Sequence, residues 1–211
     1  MTNVLVLGAG GQIARHVIAM LAGKDDVRLT LFARNTARLA DVPGNASTVQ
    51  GDVLDAAKLN EAMKGQDIVY ANLTGEDLDA QAKSVIAAME AEGISRLIFI
   101  LSLGIYDEIP GKFGEWNNAT IGDDLKPFRR AGDAIEASGL DFTIIRPAWL
   151  TDEEEVDYEL TERGQPFKGT VVSRKSVADL IAKIIRSPDL HIRGNLGVDK
   201  PGTDGDKPYF M

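Results

Sequence analysis

The chain opens on an apolar stretch that runs directly into glycines: Val4-Leu5-Val6-Leu7-Gly8-Ala9-Gly10-Gly11-Gln12-Ile13-Ala14. A short apolar strand, a glycine-rich turn and a helix start, in that order, are typical of the phosphate-binding corner of an α/β domain. Glycine lets the backbone turn sharply, and the free N–H groups of a helix start favour negative charge. The stretch therefore predicts a dinucleotide site, with the pyrophosphate held by Gly8, Gly10, Gly11, Gln12 and Ile13.

Apolar runs of strand length recur along the rest of the chain, and amphipathic helical stretches lie between many of them. The runs cover residues 4–7, 28–33, 47–50, 67–71, 96–101, 141–146 and 195–198. This alternation implies right-handed crossovers and a sheet covered on both faces. We therefore expect an α/β fold, a Rossmann-type doubly wound and mostly parallel sheet, in a single domain over 1–211.

Two longer segments interrupt the alternation at about 103–126 and 147–170. Both follow the C-terminal ends of strands, the edge at which open parallel sheets bind ligands. We expect them to form a small lobe on the substrate side. Trp116 and Trp149 lie within them and either stack on a planar acceptor or pack the lobe.

Composition excludes several classes of ligand. The net charge of −9 argues against binding to nucleic acid or to anionic lipid. Without cysteine, and with two isolated histidines, the chain offers no thiolate nucleophile and no metal site. No signal peptide or membrane span is evident, so we expect a cytoplasmic protein. We also expect a monomer or homodimer whose partner is a small-molecule acceptor.

The residue at the end of the second strand indicates which dinucleotide binds. NAD enzymes usually place an acid there to bind the ribose 2′-hydroxyl, whereas a 2′-phosphate needs a cation. Here Arg34 directly follows the predicted strand, and no acidic residue follows before Asp41. A guanidinium binds phosphate through two parallel hydrogen bonds. Arg34, assisted by Arg38, therefore predicts NADP (NADPH) in preference to NAD.

Several stretches together resemble the NmrA-like, NAD(P)-binding members of the atypical short-chain dehydrogenase/reductases, over nearly the whole chain. They are the loop 8–14, Arg34, Gly51-Asp52-Val53, Asn72-Leu73-Thr74-Gly75, and residues 97–102 and 138–147. The resemblance implies that Asp52-Val53 contacts adenine and that Asn72-Leu73-Thr74 lines the cofactor. It also implies that Pro147-Ala148 runs beside the nicotinamide.

The catalytic residues are less clear from the sequence. Classical members of that superfamily donate a proton from a Tyr whose pKa is lowered by a Lys four residues later, with a Ser holding the carbonyl. Ser102 matches the serine position, but no Tyr is followed by Lys at that spacing, and Phe128 stands where the Tyr belongs. Tyr106, four residues after Ser102, either donates the proton or only packs.

Three functions remain open at this point. The first is an NADPH-dependent oxidoreductase of a small planar or carbonyl acceptor such as a quinone or flavin. The second is a non-catalytic NADP-binding regulator or redox sensor of NmrA-like type, which the missing Tyr–Lys pair favours. The third, a sugar-nucleotide epimerase or dehydratase, needs that pair and a larger C-terminal domain.

Overall fold

The structure is a computed structural model that describes residues 1–39 and 41–211. The described strands are β1 (Thr2–Leu7), β2 (Val27–Ala33), β3 (Ala46–Gln50), β4 (Ile68–Ala71), β5 (Arg96–Ile100), β6 (Asp141–Pro147), β7 (Trp149–Thr151), β8 (Glu159–Glu162), β9 (Val171–Ser173) and β10 (Gly194–Asp199). The helices are α1 (Gln12–Leu21), α2 (Ala56–Met63), α3 (Leu78–Glu92), α4 (Gly111–Ile121), α5 (Leu125–Ala137) and α6 (Arg174–Arg186), and a 3₁₀ turn covers Thr36–Arg38.

Eight strands form the main sheet in the order β3-β2-β1-β4-β5-β6-β10-β8. Neighbouring strands are parallel, except that β8 runs antiparallel to β10. Strand β1 lies between β2 and β4, so the crossovers leave it in opposite directions. Such a reversal opens a crevice at the C-terminal ends of the two central strands. The predicted Rossmann-type, mostly parallel sheet is confirmed.

The core consists of two apolar layers, one on each face of the sheet. Because successive side chains of a strand point to opposite faces, Val4 and Val6 of β1 join one layer and Leu5 and Leu7 the other. Helices α1 and α6 pack together over the first face, and α2, α3 and α5 cover the second. The crevice at the strand ends is thus held between two rigid layers.

The seven predicted strands are all present, with ends that differ by one or two residues. Strands β7, β8 and β9 were not predicted, because each has only three or four residues and gains its hydrogen bonds from a distant partner. The segment 103–126 contains helix α4. The segment 147–170 supplies β7, which pairs with β9, and β8, which extends the main sheet beside β10.

Two further findings concern membranes and metals. Among the described residues no helix is both long and apolar enough to cross a bilayer. The His, Asp and Glu side chains of residues 1–39 and 41–211 do not come together in any group of three that could hold a metal ion.

Candidate functional site

A cleft of about 740 Å³ runs along the C-terminal edge of the sheet, across the ends of β2, β1 and β4. It brings together eleven of the thirteen residues predicted to bind the cofactor. They are Gly8, Gly10, Gly11, Gln12, Ile13, Arg34, Asp52, Val53, Asn72, Leu73 and Thr74. The sequence placed these residues on four separate segments, and the crossovers of the sheet assemble them at one edge.

The glycine turn between β1 and α1 is folded tightly against the end of β4. Gly8 has φ +74°, a conformation that favours glycine, and its carbonyl accepts a hydrogen bond of 2.9 Å from the Gly11 amide. A Cβ on Gly8 would lie 2.2 Å from the Asn72 carbonyl, and one on Gly11 would lie 1.9 Å from the Asn72 Nδ2. Gly10 has open space around it, its nearest neighbour being Leu39 at 3.9 Å. Packing against Asn72 therefore requires glycine at both positions.

Helix α1 begins at this turn with its first amides uncapped. No side chain caps the helix at Gly11, and the first turn contains no acidic residue. The N–H groups of a first helical turn have no acceptor within the helix, so they are free to bind an anion. Gln12 and Ile13 lie in this turn and line the cleft. The geometry suits one phosphate group or a pyrophosphate.

Positive charge is concentrated where β2 ends. Arg34 and Arg38 are exposed and line the cleft. The 3₁₀ turn between them is held by Asn35, whose Oδ1 accepts a hydrogen bond of 3.1 Å from the Ala37 amide. Within residues 1–39 and 41–211 neither arginine forms an ion pair with an acidic side chain. Two unpaired guanidinium groups at one end of a cleft form a suitable site for a phosphate.

The turn after β3 forms the neighbouring wall. Asp52 Oδ1 accepts a hydrogen bond of 2.9 Å from the Leu54 amide, which fixes the turn. Val53 is buried, and its carbonyl accepts 2.6 Å from the Ser84 hydroxyl. A Cβ on Gly51 would lie 2.6 Å from the Phe32 ring. The wall is thus held in place by two hydrogen bonds, and the buried Phe32 ring lies against it.

The opposite end of the cleft is mainly apolar. Ile100 at the end of β5, Phe128 of α5 and Leu150 of β7 line it, together with Arg174 at the start of α6. Leu150 belongs to a strand that the sequence did not reveal, and Arg174 is the first residue of α6, directly after another such strand, so neither was predicted. A polar residue directly after an unrecognised three-residue strand gives no sequence signal.

Helix α5 carries no Tyr–Lys pair at this end. Phe128 occupies the cleft wall, and Gly132 follows it one turn later. A Cβ on Gly132 would lie 2.7 Å from the Tyr106 hydroxyl and 3.2 Å from Leu101 Cδ1. Tyr106 and Leu101 therefore occupy the space that the Cβ of any larger residue at position 132 would need.

Tyr106 is not among the cleft residues and points into a polar cluster on the α5 face. Its hydroxyl accepts a hydrogen bond of 3.0 Å from Asn195 Nδ2. The guanidinium carbons of Arg129, Arg146 and Arg163 lie 4.9, 5.5 and 4.3 Å from its ring centre. Burial raises the pKa of the Tyr106 phenol, and the Asn195 hydrogen bond offsets this only in part. Ser102 is half-buried and also lies outside the cleft lining.

The segment after β6 lies beneath the cleft surface. Pro147 and Ala148 are buried and do not line the cleft. The Ala148 amide continues the pairing with β10, since it donates a hydrogen bond of 2.9 Å to the Val198 carbonyl. Trp149 contacts Trp116 at 4.9 Å between ring centres and donates 3.0 Å to Asn117 Oδ1. The two tryptophans therefore pack against each other, and neither lines the cleft.

A buried ion pair fixes the loop that follows β5. Glu108 accepts hydrogen bonds from the Gly104 amide at 3.0 Å and the Tyr106 amide at 2.9 Å, and it also pairs with Arg146 of β6. Both charged side chains are buried. The ion pair between Glu108 and Arg146 thus attaches the loop after β5 to the neighbouring strand β6, beside the apolar end of the cleft.

Comparison with known proteins agrees with this geometry. A family model described as NAD(P)H-binding matches residues 8–188. A solved Rossmann-fold NAD(P)-binding family protein from Shigella flexneri is 62% identical, with each chain covered in full and a TM-score of 0.88. The chain therefore belongs to the NAD(P)H-binding Rossmann-fold family, among the atypical short-chain dehydrogenase/reductases.

Two more distant relatives cover almost the whole chain. A wide-type short-chain dehydrogenase/reductase from Veillonella parvula, solved in complex with NADP, is 28% identical over 99% of both chains with a TM-score of 0.91. The Bacillus subtilis protein YhfK, described as an uncharacterized sugar epimerase, is 28% identical over 98% of this chain and 96% of its own.

Proposed function

We propose that the protein is an NADPH-dependent oxidoreductase that reduces a small planar or carbonyl-bearing acceptor such as a quinone or flavin. The observation that carries the proposal is the division of the cleft. One end presents uncapped helix amides and two arginines that form no ion pair with the described residues, and the other presents apolar walls. Such a cleft can hold a charged dinucleotide at one end and exclude water at the other.

The residues fit NADP as the cofactor. The uncapped first turn of α1 would hold the pyrophosphate, since Gly10, Gln12 and Ile13 line the cleft there. Arg34, with Arg38 beside it, would bind the 2′-phosphate through charge-assisted hydrogen bonds. Asp52-Val53 would border the adenine, and Asn72-Leu73-Thr74 would follow the cofactor toward the apolar end. The NADP bound to the Veillonella relative supports this choice.

The remaining residues orient the acceptor and do not protonate it. When bound, the reduced nicotinamide supplies a hydride. Ile100, Phe128 and Leu150 form apolar walls against which a flat ring can pack. Among the described residues of this end none is a Tyr, His or Lys, so the proton comes from water. Quinones and flavins meet that condition, because their reduced forms take protons directly from solvent.

The test is NADPH oxidation against a panel of quinones, flavins and aldehydes, followed by the loss of nicotinamide absorbance. We expect turnover of quinones or flavins and none of simple aldehydes, which need a positioned proton donor. NADH in place of NADPH is the matched control for the cofactor. If no acceptor oxidises NADPH faster than buffer does, the oxidoreductase proposal fails.

A second candidate is an NADP-binding regulator that performs no reaction. Phe128 and Gly132 favour it, since they replace a proton donor and the group that would activate it. Tight NADPH binding without oxidation, together with altered protease sensitivity of 103–126 or 147–170, would favour the regulator. The same two residues argue against the epimerase reaction in the name of the Bacillus relative.

A further inference from the structure

Arg174 is the one cation at the apolar end of the cleft among the described residues. It is the first residue of α6, directly after Ser173, whose hydroxyl caps the helix by accepting 2.9 Å from the Ser176 amide. The backbone that carries Arg174 is therefore fixed. Its side chain is 17% exposed, so the guanidinium is held against the protein and does not extend into solvent.

The hydrogen bonds of this guanidinium are incomplete. Nη1 donates a hydrogen bond of 2.8 Å to Asp152 Oδ1, whereas Nε is buried and has no hydrogen-bond partner among the described residues. Buried side-chain donors are nearly always hydrogen-bonded. Nη2 also forms no hydrogen bond to a described residue. Arg174 thus lines the cleft with a guanidinium that uses one of its three nitrogens in hydrogen bonds to the described residues.

Asp152 is a weak partner for Arg174. It is 80% exposed and lies just after β7, on the segment that leads to β8. An ion pair with one exposed member contributes little, because water competes for the charge. An anion within the apolar end would bind the same guanidinium with less competition from water. It could also use Nη1 and Nη2 together, which is a bidentate geometry that arginine offers to carboxylate and phosphate.

We propose that Arg174 binds an oxyanion, a carboxylate or a phosphate, carried by the acceptor, and that this group takes the place of Asp152. This inference rests on the proposed function and narrows its substrate class to flat acceptors with an acidic substituent. The ring lies against Phe128 and Leu150, while the substituent reaches the start of α6. Arg174 is a specificity-determining residue in this arrangement and takes no part in proton transfer.

The experiment uses FMN and riboflavin, which share one ring system and differ in a phosphate. Their affinities for the full-length protein saturated with NADP⁺ are measured by quenching of flavin fluorescence. We expect FMN to bind at least about tenfold more tightly, as a charge-assisted bidentate contact allows. A second pair of probes, a naphthoquinone with and without a propionate side chain, differs in a carboxylate. Comparing the two pairs shows whether the site prefers a phosphate or a carboxylate.

Three variants locate the effect. Arg174→Gln should reduce the affinity for FMN to that for riboflavin, and Arg174→Lys should retain part of the difference because it keeps the charge without the fork. Lys175→Gln is the matched control, since Lys175 is the next residue, pairs with Glu154 at 3.0 Å and does not line the cleft. It should change neither affinity.

Several results would overturn the inference. The first is equal affinity for the charged and uncharged members of both pairs, and the second is that none of the four probes binds. The third is an equal loss of FMN affinity in Arg174→Gln and Lys175→Gln. A fall of tenfold or more in NADPH affinity in Arg174→Gln, with the flavin ratio unchanged, would assign Arg174 to the cofactor. Discrimination between the probes without any NADPH oxidation would refute the proposed function and leave the anion site standing.

Discussion

The two ends of the cleft differ in where their residues come from and in what those residues do. At the end near β2, Arg34, Arg38 and the first turn of α1 belong to the first forty residues, and neither arginine forms an ion pair within the described part of the chain. At the other end, Phe128, Leu150 and Arg174 come from three distant elements. The comparison suggests that short local segments build the part of the cleft for a common cofactor. Long-range packing builds the part that would select an acceptor.

The largest effect is expected at the glycine turn. Gly8→Ala would place a Cβ 2.2 Å from the Asn72 carbonyl at φ +74°, so we expect the free energy of unfolding to fall by about 3 kcal/mol and dinucleotide binding to be lost. Gly10→Ala is the control, because space is open there, and it should fold with nearly unchanged stability. Urea denaturation measures both. Equal stability of the two variants would show that the turn is not packed as described.

The next effect concerns the cations at the end of β2. Arg34→Ala should lower NADPH affinity by roughly 10- to 100-fold, as the loss of charge-assisted hydrogen bonds implies, and leave NADH affinity unchanged. Arg28→Ala removes the same charge from β2, the strand that precedes Arg34, at a position outside the cleft lining, and should have no effect. Calorimetric titration with both nucleotides tests this. If the unmodified protein binds NADPH and NADH equally, the cation does not select the cofactor.

A third prediction concerns the attachment of the segment 147–170 to the sheet. Asp199 of β10 is fully buried, its Oδ2 accepts 2.8 Å from the Gly169 amide, and its Oδ1 has no partner in the described chain. Burial raises the pKa of this carboxyl to about 6, with the Gly169 hydrogen bond opposing the shift. A raised pKa in the folded state means that stability is fully present below about pH 4 and is lost as the pH rises through about 6.

Asp199→Asn removes this titration. Relative to the unmodified protein, the variant should gain about 2 kcal/mol in the free energy of unfolding between pH 4 and pH 7, and its NADPH affinity should stay the same. Denaturation curves over that pH range measure the difference. A constant difference at all pH values would contradict the assigned carboxyl.

The smallest effect is expected at Tyr106. Tyr106→Phe removes the hydroxyl that accepts from Asn195 and should cost about 1 kcal/mol of stability. Turnover of any acceptor should change less than about twofold, because Tyr106 does not line the cleft and its phenol pKa is raised. Steady-state kinetics beside thermal denaturation separates the two. A loss of turnover greater than that of stability would return Tyr106 to the acceptor site.

Much of the fold could be predicted because its signals are local. The buried strands β1, β5 and β6 are apolar runs long enough to be recognised, and the glycine turn marks the first crossover. The short strands β7 to β9 could not be found, since their residues pair only after distant parts of the chain have packed. Tyr106 was associated with Ser102 by spacing alone, and the polar cluster around Asn195 holds it elsewhere.

The sequence by itself determined the α/β class, the position of the glycine turn before α1 and the cation at the end of β2, because each depends on residues within a few positions of one another. Only the tertiary structure decided that Gly11 packs against Asn72, that Gly132 lies against Tyr106 and that Arg174 joins the cleft. Those contacts form between side chains far apart in the chain. Their partners are fixed by the order of the strands and the packing of the layers, which no local pattern encodes.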